Sequence, residues 1–159
     1  MPFTSNARHQ KRYVESPKTA QRLADIRKLL DSIRRLPIGQ SLKKTMLVHS
    51  IWQVSESTGS FYARHRSESV IRTVGQKIQR DHIYQKRTLV AELLTPEPDL
   101  DAIIQQARCC IVTEAEHRRL HGVDAGLDGW DRYRAAGIVV YDMLDETRVA
   151  SQITAQDGV

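Results

Sequence analysis

Asparagine is all but missing from this chain, with Asn6 its one representative. Cysteine is nearly as scarce: Cys109 and Cys110 stand side by side. Vicinal thiols rarely form a structural disulfide, so a reducing, cytoplasmic setting is expected. No apolar run approaches the roughly 20 residues of a membrane span, so no membrane partner is expected. The opening stretch, Met1 to Tyr13, is polar and basic and lacks the apolar centre of a secretory signal. There is no internal repeat and no low-complexity segment.

What is present is enough for one domain with a core. The chain has 159 residues, 40% hydrophobic and 27% charged. Its net charge of +5 is unevenly spread. Residues 1–90 carry 18 Lys/Arg against 6 Asp/Glu, a surplus of 12 positive charges, whereas residues 91–159 carry 6 against 13, a surplus of 7 negative. A basic half invites a polyanion, most often nucleic acid. It is equally compatible with two halves that attract each other.

In chain order, residues 1–16 show no apolar periodicity and read as a disordered basic arm. Ser16-Pro17 is a helix start, with Ser as N-cap and Pro at the first helical position. Leu23, Ile26, Leu29, Leu30, Ile33 and Leu36 then recur at three- and four-residue steps. Pro37 and Gly39 end that helix. A second helix is expected from Ser41 to about Glu56. Phe61 to Arg66 alternates weakly, as an edge strand or extended loop placing aromatic and basic side chains together, and a third helix is expected from Ser67 to about Gln76. Gln79 to Tyr84 reads as a short strand, and Lys86 to Leu94 as a helix. Pro96 and Pro98 break the chain before a helix over Asp99 to Ala107. Cys109 to Val112 is a second strand, Trp130 to Ala136 a short helix, and Ile138 to Tyr141 a further strand. The cysteine pair fits buried strand packing, because free Cys behaves as a small hydrophobe.

The most chemical stretch is Cys109-Cys110-Ile111-Val112-Thr113-Glu114-Ala115-Glu116-His117-Arg118-Arg119-Leu120-His121-Gly122. Thr113 and Glu116 have the spacing of a capping box. A helix starting there carries His117 and His121 one turn apart on one face, and two imidazoles so placed can bind one divalent metal. Asp81-His82 supplies a further ligand or a base. The plainer readings are a surface pair on an Arg-rich helix and a structural Asp–His hydrogen bond. Arg118, Arg119, Arg132 and Arg134 either line a phosphate path or pair with nearby Glu and Asp, and pairing is the preferred reading.

The order Asp81-His82 on a strand, a second strand, then a helix with His117 and His121 resembles the ββα-metal, or HNH, nuclease motif. The H-x-x-x-H spacing is similar to that of bacterial nuclease toxins. The resemblance implies that His82 is the base activating water. It also implies that Asp81, His117 and His121 hold a divalent metal (Mg, Mn, Ni or Zn). The chain departs from the motif in lacking its Asn, in placing a pair of helices between the two strands, and in having no Cys-x-x-Cys knuckles. A wider stretch, about Ile51 to Tyr141, is similar to a bacterial family of small proteins. It runs through Arg66-Ser67-Glu68, Arg80-Asp81-His82-Ile83-Tyr84, Cys110 to His117 and Gly129-Trp130-Asp131-Arg132-Tyr133.

The sequence therefore predicts an α+β fold, mostly helical with a small sheet. It forms one domain over residues 17–146, with an HNH-like region over 80–141 and a flexible tail over 147–159. The predicted function is nucleic-acid binding, DNA before RNA, with metal-dependent phosphodiester hydrolysis at His82. Arg64, Arg66, Lys86 and Arg87 are expected to grip the phosphate backbone. The alternative is a non-catalytic accessory protein of a phage or mobile element that binds a macromolecular partner, protein or nucleic acid, through its basic face.

Overall fold

The computed structural model describes residues 8–58, 62–123 and 125–149. A 3₁₀ turn over Arg8–Gln10 precedes α1 (Pro17–Arg35), α2 (Gln40–Glu56), β1 (His65–Ser67), α3 (Glu68–Arg72) and β2 (Ile78–His82). Then follow α4 (Lys86–Leu93), α5 (Leu100–Gln106), β3 (Cys109–Thr113), α6 (Glu114–His121), α7 (Gly129–Ala135), β4 (Val140–Asp142) and β5 (Thr147–Arg148). The fold is α+β, mostly helical, as the sequence predicts. No helix among the described residues is long and apolar enough to cross a membrane.

The chain groups into two compact units. Among the described residues, one, the helical unit, takes residues 15–58 and 82–108; the other, the sheet unit, takes residues 8–14, 62–81, 109–123 and 125–149. No Pro- or Gly-rich linker marks the passage at Asp81-His82, so composition carries no trace of that boundary.

In the helical unit α1 packs on α2 and α5, and α4 packs on the same two helices. Ser16 Oγ accepts the Thr19 N–H at 3.1 Å and Pro17 follows, so α1 starts where its residues direct. The three- and four-residue spacing of Leu23, Ile26, Leu30 and Ile33 turns one stripe inward, where it meets Leu47, Ile51, Leu89, Leu93 and Ile103. Each such fully buried Leu or Ile contributes about 1.5–3 kcal/mol. Leu29 and Leu36, expected inside, stay exposed.

The sheet unit is built on the order β2-β3-β1-β4-β5. β1 runs parallel to β3, with His65 opposite Cys110 and Arg66 opposite Ile111. It runs antiparallel to β4, with Arg66 opposite Tyr141. β1 is thus central rather than an edge strand; an arginine in its middle hides that from any hydrophobic pattern. All five residues of β3 are buried, both free thiols included. The Glu114 N–H donates to the Lys77 carbonyl at 2.9 Å, which sets the start of β2 beside the end of β3. α3 stops at Arg72, short of Gln76, because Thr73 is extended and Gly75 takes φ +89°.

Two terminal expectations are corrected for their described parts. Residues 8–14 are packed rather than disordered: Tyr13 is 1% exposed among Ile71 and Met143, and its N–H donates to the Met143 carbonyl at 2.7 Å. Residues 1–7 lie outside the described residues. At the other end Thr147 and Arg148 pair with Asp142 and Tyr141 as β5, so the tail does not begin at 147. Residues 150–159 lie outside the described residues.

Candidate functional site

The capping box on α6 forms as spelled. Thr113 Oγ1 accepts the Glu116 N–H at 3.2 Å, and the Thr113 N–H donates to Glu116 Oε2 at 2.9 Å. The fold adds a third bond, Ser67 Oγ–H to the same Oε2 at 2.6 Å, which leaves Glu116 only 3% exposed. This anchoring sets the rotation of α6 and with it the face that carries His117 and His121.

That face meets Asp81. Successive residues of a strand point to opposite sides, so Asp81 and His82 part company. Asp81 belongs to the sheet unit and is 6% exposed. Tyr133 Oη–H donates to its Oδ2 at 2.5 Å, and Arg132 Nη2 donates to the same oxygen. Its Oδ1 lies 3.7 Å from His117 Nε2. His117 Nε2 in turn lies 3.3 Å from His121 Nε2, with the two rings 4.4 Å apart and nearly edge-to-face. The result is a chain of polar groups, Arg132 and Tyr133 to Asp81 to His117 to His121, running from the interior outward.

Burial lowers the His117 pKa from its ordinary value; the charges of His121 and Arg132 push the same way, and Asp81 opposes them. Burial pushes the Tyr133 hydroxyl well up, and the Cys110 thiol likewise, each helped by Asp81. Both therefore keep their protons near neutral pH.

The predicted metal ligands are brought together only in part. Two imidazole nitrogens 3.3 Å apart span the distance between neighbouring ligands of one tetrahedral cation, given metal–nitrogen bonds of about 2.0–2.1 Å. Of the third expected ligand, Asp81, Oδ2 is held by a guanidinium and a phenol, while Oδ1 faces His117 at 3.7 Å. Among the described residues no three His, Cys, Asp or Glu side chains gather as a ligand set.

His82, expected to be the base, makes contacts in the helical unit. Its Nδ1 is 3.2 Å from Ser55 Oγ, and its ring meets Trp52 edge-on at 4.8 Å. Of the four residues read from the sequence, Asp81, His117 and His121 meet in the sheet unit.

The four residues expected to grip phosphate also divide. Arg66 is 0% exposed, and this corrects the expectation outright. Its Nε donates to the Ala63 carbonyl at 2.8 Å, and its Nη1 to the carbonyls of His9 and Lys11 at 2.6 and 2.7 Å. Burial lowers its pKa, with Tyr62, Cys110 and Tyr13 opposing. It is an internal strut that ties residues 9–11 to β1. Arg64 is half-buried and forks onto Asp142 at 2.8 and 2.6 Å. Burial pushes the Asp142 carboxyl up, but hydrogen bonds from Arg64 and the Leu144 N–H, with the charges of His65 and Arg64, outweigh it and hold the pKa low. Lys86 stands over the Trp52 ring, Nζ 4.3 Å from the centroid, and Arg87 is exposed beside it on the first turn of α4.

The preferred reading of the later arginines holds. Arg118 pairs with Glu114 at 2.6 Å, Arg134 with Asp131 at 2.9 Å, Arg119 approaches Glu116 at 3.9 Å, and Arg132 meets Asp81.

A further positive surface lies on the α1–α2 hairpin. Residues 17–56 hold eight Lys/Arg against Asp25, Asp31 and Glu56. Lys18, Arg22, Arg27, Lys28, Arg35 and Lys44 are exposed. Some of these charges are matched, Arg27 by Asp101 and Arg35 by Asp31. Lys18 and Lys44 have no ion-pair partner among the described residues. The sequence reading counted this charge but assigned phosphate contact to other residues, because helix-borne cations flanking a core stripe look like ordinary solvated faces. Comparison of the chain with protein-family models, with curated proteins and with solved structures finds no match.

Proposed function

We propose that this protein binds nucleic acid, DNA in the first instance, through the cationic α1–α2 hairpin of its helical unit, without hydrolysing it. The observation that carries this reading is the surplus of five positive charges over residues 17–56, borne largely by exposed side chains of two consecutive helices. A rigid array of that kind suits the phosphate backbone, whose binding is driven by release of condensed counterions. Hydrolysis is left out of this reading because Asp81 Oδ2 is occupied by Arg132 and Tyr133, and because His82 Nδ1 faces Ser55 on α2. The resemblance to the HNH order then concerns the succession of elements rather than a working centre.

The test is binding of a labelled DNA duplex as a function of salt. Wild type should bind at low salt, with log affinity falling linearly with log salt. The triple variant Lys28→Ala, Arg35→Ala, Lys44→Ala should flatten that slope by about 2–3, at roughly 0.9 per phosphate contact removed. Supercoiled plasmid incubated with Mg²⁺, Mn²⁺, Ni²⁺ or Zn²⁺ should be retained but not nicked. Absence of binding at low salt would sink the proposal. Nicking that disappears with His117→Ala would restore the nuclease reading.

A further inference from the structure

The helical unit exposes one large aromatic side chain in a cationic setting, and the function proposed above does not use it. Trp52 projects from α2 with 38% of its surface in solvent, in a unit whose other bulky apolar groups mostly line the core. Its ring is fixed rather than loose. The His82 ring meets it at 4.8 Å with an interplanar angle of 80°, and His82 is itself tied to Ser55 at 3.2 Å. Lys86 holds its ammonium 4.3 Å from the indole centroid. His49, one turn before Trp52 on α2, is exposed, and so is Arg87. The first turn of α4, which supplies Lys86 and Arg87, contains no acidic residue.

We infer that Trp52 and Lys86 form a stacking site for single-stranded nucleic acid, a deepening that rests on the nucleic-acid reading of the α1–α2 hairpin. The chemistry of the pair selects this occupant. An indole face stacks any nucleobase, and a primary ammonium beside it meets the phosphate that each base carries. In a duplex the base faces are covered by their neighbours, so a surface tryptophan gains nothing from them and the hairpin cations alone contribute. An acidic protein segment would use the ammonium but leave the indole without a planar partner. On binding, the base takes the place over the indole that the ammonium now holds, and Lys86 swings out to the phosphate. Nothing in the arrangement reads base edges, so the site is tolerant of sequence.

The experiment compares labelled oligothymidylate, about 20 nucleotides long, with a duplex of the same length. In a Trp130→Phe background all tryptophan emission comes from Trp52. Binding of the single strand should quench it, whereas binding of the duplex should not. Trp52→Leu should weaken single-strand binding about tenfold, a fold-change within the range of one lost base–aromatic stack. It should leave duplex binding within about twofold. Trp52→Tyr should recover most of the loss, which separates lost stacking from a damaged fold. Equal losses for single strand and duplex, or none for the single strand, would overturn the site while leaving the hairpin reading in place. Failure of both probes to bind at low salt would end both. Displacement of the single strand by polyglutamate as effective as by unlabelled oligothymidylate would make the surface a plain polyanion patch and also overturn the site.

Discussion

Arg66 offers the sharpest division between what its sequence neighbourhood suggests and what its surroundings allow. In the run Arg64-His65-Arg66 it looks like a phosphate contact, yet it is fully buried and donates to three backbone carbonyls of the sheet unit. The consequence of Arg66→Ala can be worked through from those bonds. Three charge-assisted hydrogen bonds contribute on the order of 1.5–3 kcal/mol each, or about 4–9 kcal/mol in gross. Against this stands the cost of holding a guanidinium away from water, several kcal/mol. A net loss of about 3–5 kcal/mol follows, the gross energy of the bonds less that desolvation cost. At about 2–4 °C per kcal/mol for a chain of this size, the melting temperature should fall by roughly 10 °C or somewhat more.

The loss should also be local. The carbonyls of His9 and Lys11 lose their shared donor, so residues 9–13 should open first. The Tyr13 amide, now held by the Met143 carbonyl at 2.7 Å, should then exchange with deuterium far faster than amides of β3. Arg66→Met, which keeps the stem and removes the buried charge, should cost less than Arg66→Ala. Scanning calorimetry gives the first quantity and hydrogen exchange read by mass spectrometry the second. A melting temperature unchanged in Arg66→Ala, together with a salt slope of duplex binding flattened by about 1, would refute the strut and return Arg66 to the phosphate backbone.

Two further outcomes test the Asp81 cluster. Asp81→Ala should cost about 3–5 kcal/mol in urea melts, because Arg132 and the fully buried Tyr133 hydroxyl lose the carboxylate they share. Adding Arg132→Leu should recover part of that cost, and a coupling energy under about 0.5 kcal/mol would show that the pair does not act together. His117 sets a pH dependence whose sign follows from its depressed pKa. Below about pH 6.5 the unfolded chain takes up a proton that the folded imidazole resists, so stability falls as pH drops from 7 towards 5. His117→Gln should remove that part of the slope. A variant that loses stability as steeply as wild type over this range would show that the imidazole is not depressed.

Much of the local structure was legible from short-range chemistry. The Ser16 cap, the Pro17 start, the stripe through Leu23, Ile26, Leu30 and Ile33, the break at Pro96 and Pro98, and the Thr113–Glu116 box depend on residues within a turn or two of one another. Such signals survive any tertiary context that does not overrule them. The α+β class follows from the same signals, since helical periods and short apolar runs alternate along the chain. The burial of Cys109 and Cys110 was legible too, because a thiol behaves as a small hydrophobe in a strand.

What only the tertiary structure decided concerns charged groups and long separations. Arg66 is central in a sheet because β3, more than 40 residues on, and β4, more than 70 on, close over it from either side. Hydrophobicity alone would put an arginine outside; it stays inside with its Nε and Nη1 donating to the carbonyls of Ala63, His9 and Lys11. Arg132 and Tyr133 reach Asp81 across about 50 residues of sequence, a pairing with no local signal at all. Strand alternation turns adjacent side chains to opposite faces, and the neighbours Asp81 and His82 meet different partners, Arg132 and Tyr133 for the first and Ser55 and Trp52 for the second. A charge count along the chain located the basic half of this protein. Which of those cations face solvent, and which are held by a carboxylate or a carbonyl, was set by folding, because an ion pair between distant residues forms only once the fold has brought them together.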